Sequence, residues 1–285
     1  MKYTDITFHS GTDFDTDFIE YYSINELEKK GNVKAIFTSA KNSAWKFGTD
    51  GAAENFKKLS RTLGISQERF CTTFQTHTSN VLVMQKENSG EGVVRQTSSK
   101  DYDGIVTNEN QLLLCSFEAD CVPVYFFDPE KKVIAMVHSG WRGTAKEIVR
   151  NAVCVMQEKF NSLPHDIIAV TGPCACKNCY EVGSDLISEF EVNFKNDIDR
   201  LFIPCREQKD KYNLDLISAI EVSLLRCGLL SENIFSVNKC TIESENLCSF
   251  RRTKSKVSHI LTAIMICDDK KTRNKKNIKQ VRQKN

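Results

Sequence analysis

One cysteine and two histidines have types and positions that could hold a transition metal. Cys121 and His138 lie at the ends of the segment ADCVPVYFFDPEKKVIAMVHSG, in which two apolar runs flank the turn sequence DPEK. This pattern predicts a β-hairpin. With residues 128–131 as the loop, Cys121 is predicted to stand directly opposite His138 on the same face of the sheet. A thiolate and an imidazole so placed could bind one ion.

The third ligand is predicted from the five histidines of the chain. His77 lies in the polar turn QTHTSN, directly before a predicted strand, so its ring can stand at a sheet end near the base of the hairpin. A thiolate with two imidazoles favours zinc or copper over magnesium or calcium. Three protein ligands leave one tetrahedral position open, as in a catalytic zinc site. From spacing alone, a core cysteine and two ordinary histidines without a metal stay an alternative.

The sequence C-A-C-K-N-C at 174–179 is a second candidate metal motif, because three thiols lie within six residues. It has no partner pair of cysteines at the spacing of a zinc ribbon. It also lies between a predicted strand and a predicted helix. We therefore expect packing, rather than a metal, to explain these cysteines.

Basic side chains close to the three ligands predict an anion-binding site. Arg142, in SGWRGT, precedes a predicted helix whose N-terminus would also attract anions. Arg251 and Arg252, in CSFRRT, could make bidentate contacts to phosphate, although such a pair is also common on a solvated surface. Asp120, beside the cysteine ligand, is predicted to relay protons or to support that ligand, unless it faces water at the strand end.

Hydrophobic periodicity predicts the elements that position these residues. The predicted strands are 33–39, 80–85, 111–117, 122–127, 132–138, 166–172, 233–238 and 260–266. The predicted helices are 54–63, 144–160, 182–194 and 214–227. Gly64 and Gly228 are predicted C-caps, and Thr144 with Glu147 a capping box. Strands that are apolar on both faces predict a sheet covered on both sides.

Length and composition are those of a globular protein. The 285 residues are 40% hydrophobic and 27% charged, no segment has eighteen successive apolar residues, and the acidic first residues are not typical of a signal peptide. We predict one domain over 1–268, a cytoplasmic location, no membrane association and reduced cysteines. Residues 270–285 hold eight Lys or Arg and no acid, which predicts a disordered basic tail over 269–285; RNA or an anionic surface is the alternative role.

Eight ordered sequence blocks resemble the laccase-domain family, whose members are variously called multicopper polyphenol oxidases, peptidoglycan editing factors and purine nucleoside phosphorylases. The resemblance extends over about residues 35–265. Its blocks are QTH at 75–77, DGIVT at 103–107, ADC at 119–121, HSGWRG at 138–143, GPC at 172–174, CYEV at 179–182, CT at 240–241 and SFRR at 249–252. The chain departs from the family pattern after the arginine pair, where Thr253, Lys254 and VSH at 257–259 replace Asp-Gly and Gly-Arg.

The resemblance implies an α+β protein with an α/β/β/α layered fold and mixed sheets, and it implies zinc, with copper as the alternative metal, on His77, Cys121 and His138. It also implies phosphorolysis of adenosine, inosine and methylthioadenosine to a free base and a pentose 1-phosphate, together with adenosine deamination. The partners would be purine nucleosides and phosphate, with no specific nucleic acid, and the chain a monomer or small homo-oligomer. We predict catalytic roles for Cys121, His138, Asp120 and Arg142, and substrate or phosphate contacts from Gln75, Arg142, Arg251 and Arg252.

Three other functions stay open. A cysteine-type amide hydrolase could use Cys121 as nucleophile and His138 as base on a peptidoglycan precursor. A copper-dependent polyphenol oxidase is a further alternative, but coupled copper centres require on the order of ten histidines, and the chain has five. The third is a non-catalytic, zinc-dependent binder of nucleotides or RNA.

Overall fold

Two β-sheets face each other at the centre of the molecule. The structure is a computed structural model and describes residues 1–12, 17–206 and 208–268. Within these ranges the strands, β1 to β16 in chain order, are Lys2–Tyr3, Ile6–His9, Tyr21–Ile24, Val33–Thr38, Phe70–Cys71, Val81–Val83, Gly104–Thr107, Leu113–Glu118, Val122–Asp128, Val133–Ser139, Ile168–Thr171, Glu181–Gly183, Phe202–Pro204, Lys211–Leu214, Ile234–Ser236 and Ile260–Ile266. The α-helices, α1 to α8, are Asn25–Lys30, Ala52–Leu63, Trp141–Ala145, Ile148–Phe160, Asp185–Phe194, Ile198–Leu201, Leu216–Arg226 and Phe250–Thr253.

The first large sheet has the strand order β1-β15-β11-β9-β10-β7-β6, and the second has the order β2-β3-β4-β16-β8-β5. A small third sheet has the order β12-β14-β13. Both large sheets are mixed, since β9 pairs antiparallel with β10 while β11 pairs parallel with β15, and β4 pairs antiparallel with β16 while β5 pairs parallel with β8. The chain crosses from the second sheet to the first between β8 and β9, through residues 119–121.

Three apolar layers hold these elements together. One face of the first sheet packs on α4, α5 and α7. The other face packs on the second sheet, and the outer face of the second sheet packs on α2. The order of layers is therefore helices, sheet, sheet, helix, which confirms the expected α+β fold with α/β/β/α layers. Burial of both faces explains why β9 and β10 read as continuous apolar runs.

All eight predicted strands are present, with ends that differ by up to two residues. Gly64 and Gly228 have the left-handed conformation expected of C-cap residues, with φ of 66° and 91°. The helix predicted from residue 182 begins instead at Asp185, because residues 181–183 pair with β14. No helix of the described ranges is long and apolar enough to span a bilayer. The basic tail predicted over 269–285 lies outside the described residues.

The predicted helix over 144–160 is wrong at its beginning. The short helix α3 ends at Ala145, and α4 begins only at Ile148, after Glu147 adopts a left-handed φ of 52°. The Thr144 hydroxyl donates to the Gly140 carbonyl, four residues earlier, instead of capping a helix. The capping box is therefore absent, and α3 is too short to provide the anion-binding N-terminus that the sequence suggested.

The hairpin of β9 and β10 forms, but in a different register from the predicted one. Val133 pairs with Asp128, so that His138 stands opposite Pro123 rather than Cys121. The Asp128 carboxylate accepts hydrogen bonds from the backbone N–H groups of Glu130 and Lys131, both at 2.9 Å, which fixes the turn one residue later. The pairing shifts by two residues, an even number, which keeps the two candidate ligands on the same face.

Candidate metal centre

Three segments bring His77, Cys121 and His138 together at the end of the space between the two large sheets. His77 lies in the loop before β6, Cys121 ends the crossing from β8 to β9, and His138 lies near the end of β10. One potential ligand atom from each lies within 4.8 Å of the other two. The two imidazole rings meet edge to face, with centroids 4.8 Å apart. The predicted ligands are thus close enough for one ion to draw them together.

Asp103, at the residue before β7, fixes two of these ligands. Its Oδ1 lies 2.8 Å from His138 Nδ1 and accepts from the backbone N–H of His77 at 3.0 Å. Its Oδ2 accepts from the N–H and the hydroxyl of Thr78. Burial alone would raise the pKa of Asp103, but the hydrogen bonds from His138 and Thr78 outweigh it and lower that pKa to about 2. The ionised carboxylate therefore holds Nδ1 of His138 and leaves Nε2 for a metal.

Gly140 makes room for the cluster. A Cβ atom at this position would lie 2.9 Å from Cys121 Sγ and 2.9 Å from His77 Cδ2. Cys121 lies one residue before Val122, which pairs with Ser139, so the glycine is next to the cysteine in the hairpin. Only a residue without a side chain lets these two ligands approach each other here.

Glu118 places a buried carboxyl group beside His138. Its side chain is fully buried, and Oε2 accepts no hydrogen bond from the described residues. This oxygen lies 3.5 Å from His138 Nε2, while Oε1 accepts from the Ser116 hydroxyl. Burial raises the pKa of Glu118 to about 7. A buried acceptor without a donor is costly, and a cation beside His138 would remove that cost.

The electrostatics of the three ligands also favour a cation. Burial would lower the pKa of His138, but Glu118, Cys121 and Asp103 together raise it well above its usual value. Burial of the His77 ring, and after it the positive charge of His138, lowers the pKa of His77 to about 4. The cluster thus attracts positive charge at His138 while His77 keeps a neutral, metal-binding imidazole. The donor set and the unpartnered Glu118 oxygen both fit zinc.

A cavity of about 540 Å³ opens above the cluster. Its volume is in the range that small-molecule ligands occupy. The lining residues are His77, Cys121 and His138, with Lys46, Phe117, Ala119, Asp120, Trp141, Arg142, Tyr180, Leu216, Phe250, Arg251, Ser255, Lys256 and His259. Burial lowers the pKa of His259 to about 4, so this ring is a neutral hydrogen-bonding group in the cavity wall.

Two of the predicted anion-binding residues lie at this cavity. The Arg142 guanidinium lies 4.2 Å above the Trp141 ring, and the Arg251 guanidinium lies 5.2 Å from the Tyr180 ring. Arg251 also donates from Nη1 to the Glu181 carbonyl at 2.8 Å. Asp120 lines the cavity too, but its carboxylate accepts from the Thr241 hydroxyl and from the Arg251 backbone N–H. It is buried rather than facing water, and it positions the arginine loop.

The other two predicted substrate-binding residues are directed elsewhere. Nη1 of Arg252 donates to the carbonyls of Thr241, Ile242 and Ser244, and Nη2 to that of Leu247. The Gln75 amide bonds to Ser116 and to the Phe117 N–H, beside a neighbouring cavity of about 360 Å³. Both side chains therefore hold loops and strands near the site.

The roles of Asp103, Glu118, Gly140 and His259 were not predicted from the sequence. A signal was present for three of them. Asp103 stands at the head of one of the blocks that resemble the laccase-domain family, and Glu118 is an acid at the end of an otherwise apolar strand. Gly140 lies inside another of these blocks, at 138–143, and His259 is recognisable only from the folded chain.

Comparison with known proteins identifies the family of this chain. The family model described as multi-copper polyphenol oxidoreductase laccase matches residues 28–267. The chain belongs to this family. Among relatives of the laccase family, the purine nucleoside phosphorylase of Bacteroides thetaiotaomicron is 34% identical over 207 residues, which are 71% of this chain and 76% of that protein. The purine nucleoside phosphorylase YlmD of Bacillus subtilis is 34% identical over 195 residues, 67% of this chain and 68% of that protein.

Solved structures of the laccase family have the same fold. The hypothetical protein YfiH of Bacillus licheniformis superposes with a TM-score of 0.80 at 25% identity, covering 91% of this chain and 98% of that one. YlmD of Geobacillus stearothermophilus superposes with a TM-score of 0.76 at 24% identity, covering 83% of this chain and 93% of that one. The layered architecture is therefore that of the family.

Proposed function

We propose that this chain is a metal-dependent purine nucleoside phosphorylase, with zinc on His77, Cys121 and His138. The proposal depends above all on the observation that these three side chains converge at the floor of a cavity bordered by Arg142 and Arg251. The curated relatives named as purine nucleoside phosphorylases support the reaction class. The predicted substrates are adenosine, inosine and methylthioadenosine, with phosphate as the second substrate.

The two arginines bind and orient phosphate in this proposal. Their guanidinium groups lie against Trp141 and Tyr180, so that they lose little side-chain entropy when an anion binds. A phosphate oxygen held there attacks C1′ of the ribose. The C1′–O bond forms while the C1′–N9 bond breaks, and its electron pair goes to the purine. When bound, zinc would supply positive charge close to this developing negative charge.

We propose adenosine deamination as a second reaction because of Glu118. Its buried Oε2 lies 3.5 Å from His138 Nε2 and accepts no hydrogen bond from the described protein. Its chain neighbours Phe117 and Ala119 line the cavity, and through the space beside His138 the carboxylate would take a proton from an attacking water and return it to the amino group that leaves. The C6–O bond forms, the C6–N bond breaks, and inosine and ammonia are released.

The decisive experiment incubates the purified protein with adenosine or inosine, with and without phosphate, and separates adenine, hypoxanthine and inosine by chromatography. We expect adenine and hypoxanthine only when phosphate is present, and inosine from adenosine in either case. His77→Ala should lose both the zinc of this cluster and turnover. His165→Ala is the matched control, because its exposed ring lies outside the cavity, and it should keep both.

The absence of every product in zinc-loaded protein would remove the nucleoside assignment. An amide hydrolase would differ in its metal requirement. If Cys121 is the nucleophile, it must react with an alkylating agent, and the enzyme must work without zinc. A polyphenol oxidase requires oxidation of a phenol with copper bound. An RNA-binding role requires that removal of residues 270–285 abolish RNA binding, whereas nucleoside turnover should not change.

A further inference from the structure

Four metal-binding side chains meet at a second place in the fold. Cys176, Cys179, Cys240 and Glu243 each present one ligand atom within 4.8 Å of the others. We propose that these residues form a second, structural metal site that takes zinc and fastens together the two loops that contain them. This site is separate from the candidate active site, so it does not depend on the proposed function.

The four residues have the spacing of a metal site built from two pairs of ligands. Cys176 and Cys179 are separated by two residues, and so are Cys240 and Glu243. The sequence contains no second pair of cysteines at ribbon spacing, but it does contain a partner pair made of one cysteine and one carboxylate, which was not predicted. Two pairs at this spacing, one from each loop, are the arrangement by which short loops hold structural zinc.

The geometry of the cluster is already close to that of a bound ion. Cys179 Sγ lies 3.3 Å from a Glu243 carboxylate oxygen, and the backbone N–H of Cys176 points to Cys240 Sγ at 3.5 Å. Thiolates around zinc stand about 3.7 Å apart, as Zn–S bonds of about 2.3 Å require. A contraction of about 1 Å or less would complete the site. All three cysteines are thiols rather than disulfide partners.

Hydrogen bonds between protein groups hold both loops in place. Cys174 and Cys240 pair as neighbouring strands do, and the Thr241 N–H donates to the Cys174 carbonyl at 2.9 Å. The Arg252 guanidinium binds three carbonyls of the turn at 241–244. The four ligands therefore need little ordering, which favours binding.

Charge and access also fit a thiolate-rich zinc site. Three thiolates and a carboxylate would give zinc an excess of negative charge, and Lys177 and Lys239 line the same cavity of about 500 Å³. Thiolate ligands select zinc over magnesium or calcium. Glu243 is exposed, so the metal can enter from solvent. Four protein donors fill a tetrahedron, which leaves no open position for catalysis.

The two loops of this four-donor cluster also contact a residue of the candidate active site. The Ala175 N–H donates to the Asp120 carbonyl at 2.9 Å, and the Thr241 hydroxyl donates to its carboxylate at 2.7 Å. Both loops thus contact the residue that precedes Cys121. The first loop leads directly into Tyr180, against which Arg251 packs. Metal bound to the four-donor cluster would therefore fix the two loops, and through them the cavity wall, without touching substrate.

Metal counting tests the proposal. Protein produced with zinc and then dialysed should contain two zinc ions per chain by elemental analysis. The double variant Cys176→Ser/Cys179→Ser should contain one, and Cys121→Ser should also contain one, lost from the other site. Cys205→Ser, which changes a half-buried thiol outside both clusters, should keep two.

A spectrum distinguishes the two sites. In cobalt-substituted protein, the absorption from thiolate-to-cobalt charge transfer should fall strongly in the double variant and only modestly in Cys121→Ser, because one site has three thiolates and the other has one. If the double variant does not fold, Glu243→Ala changes only an exposed ligand. In this variant the zinc of the four-donor cluster should pass to a competing chelator at a chelator concentration at least about 10-fold lower than the unchanged protein requires.

Two results would overturn the proposal. One is a single zinc per chain that disappears in Cys121→Ser and is unaffected by the cluster variants. The other is a disulfide among Cys176, Cys179 and Cys240 in protein purified without air and analysed intact by mass spectrometry. The zinc count and the cobalt spectrum alone decide this site, whereas the absence of turnover in the unchanged, zinc-loaded protein would overturn only the proposed function.

Discussion

The two cysteine-containing clusters differ in how they are assembled and in what they leave open. His77, Cys121 and His138 come from three distant segments, supply three donors and border a cavity of about 540 Å³. The cluster of Cys176, Cys179, Cys240 and Glu243 comes from two short loops and supplies four donors. Residue types alone therefore do not distinguish a catalytic from a structural site; the number of donors and the access of substrate do.

The surroundings differ in the same way. At the three-donor cluster, Asp103 orients the ligands and Glu118 leaves an unpartnered oxygen beside them. At the four-donor cluster, the neighbouring hydrogen bonds fix the backbone of the loops. The first environment therefore fits the proposed catalytic site, and the second fits the proposed structural site.

The largest effect should follow from Cys121→Ser. We expect loss of zinc from the three-donor cluster and a fall in phosphorolysis of more than about 100-fold, because even residues that only support metal ligands account for about 10- to 100-fold. Metal analysis and product chromatography measure the two effects. Cys205→Ser is the control. Full turnover in Cys121→Ser would show that the clusters do not differ as described.

Asp103→Asn should lower the zinc affinity of the same cluster by up to about 100-fold. The amide cannot accept from His138 and from the backbone N–H groups at 76–78 as the carboxylate does. A chelator titration measures the change. Asp101→Asn is matched to it, since that exposed carboxylate accepts from the Thr76 hydroxyl and, within the described residues, makes no hydrogen bond to the three ligands, and it should change the affinity little. Equal effects from both variants would contradict the orienting role of Asp103.

Gly140→Ala should lower zinc affinity at the three-donor cluster by about 30-fold, within the range expected when ligands are displaced. The new methyl group would lie 2.9 Å from Cys121 Sγ, so one ligand must move. Cobalt spectra separate the sites, because the strong thiolate absorption of the four-donor cluster should persist. A loss of that absorption would mean that the two clusters are not independent.

The smallest effects should separate the two neighbouring arginines. Arg251→Ala should raise the KM for phosphate about 10-fold, as expected for the loss of one hydrogen bond to a charged group. Arg252→Ala should leave that KM unchanged and lower the unfolding temperature by several degrees, because its guanidinium binds carbonyls of the turn at 241–244. Steady-state kinetics and thermal denaturation measure these changes. A rise in KM from Arg252→Ala would place phosphate near that turn.

Short-range patterns in the sequence determined the elements and the types of ligand. The apolar runs of β9 and β10, the glycines that end α2 and α7, and the thiolate and imidazole donors follow from residues close together in the chain. These features depend on backbone conformation and on local burial, which neighbouring residues largely fix.

Only the tertiary structure decided how remote segments meet. Glu147 interrupted a helix that periodicity made continuous, and Arg252 turned away from the cavity. The shifted hairpin register, by contrast, follows from hydrogen bonds of Asp128 to residues two and three positions later, which is local turn chemistry. The contact of Asp103 with His138, and that of Glu243 with Cys179, join residues 35 and 64 positions apart. Such contacts depend on how the sheets and loops pack, and that packing is a property of the whole folded chain rather than of any short segment.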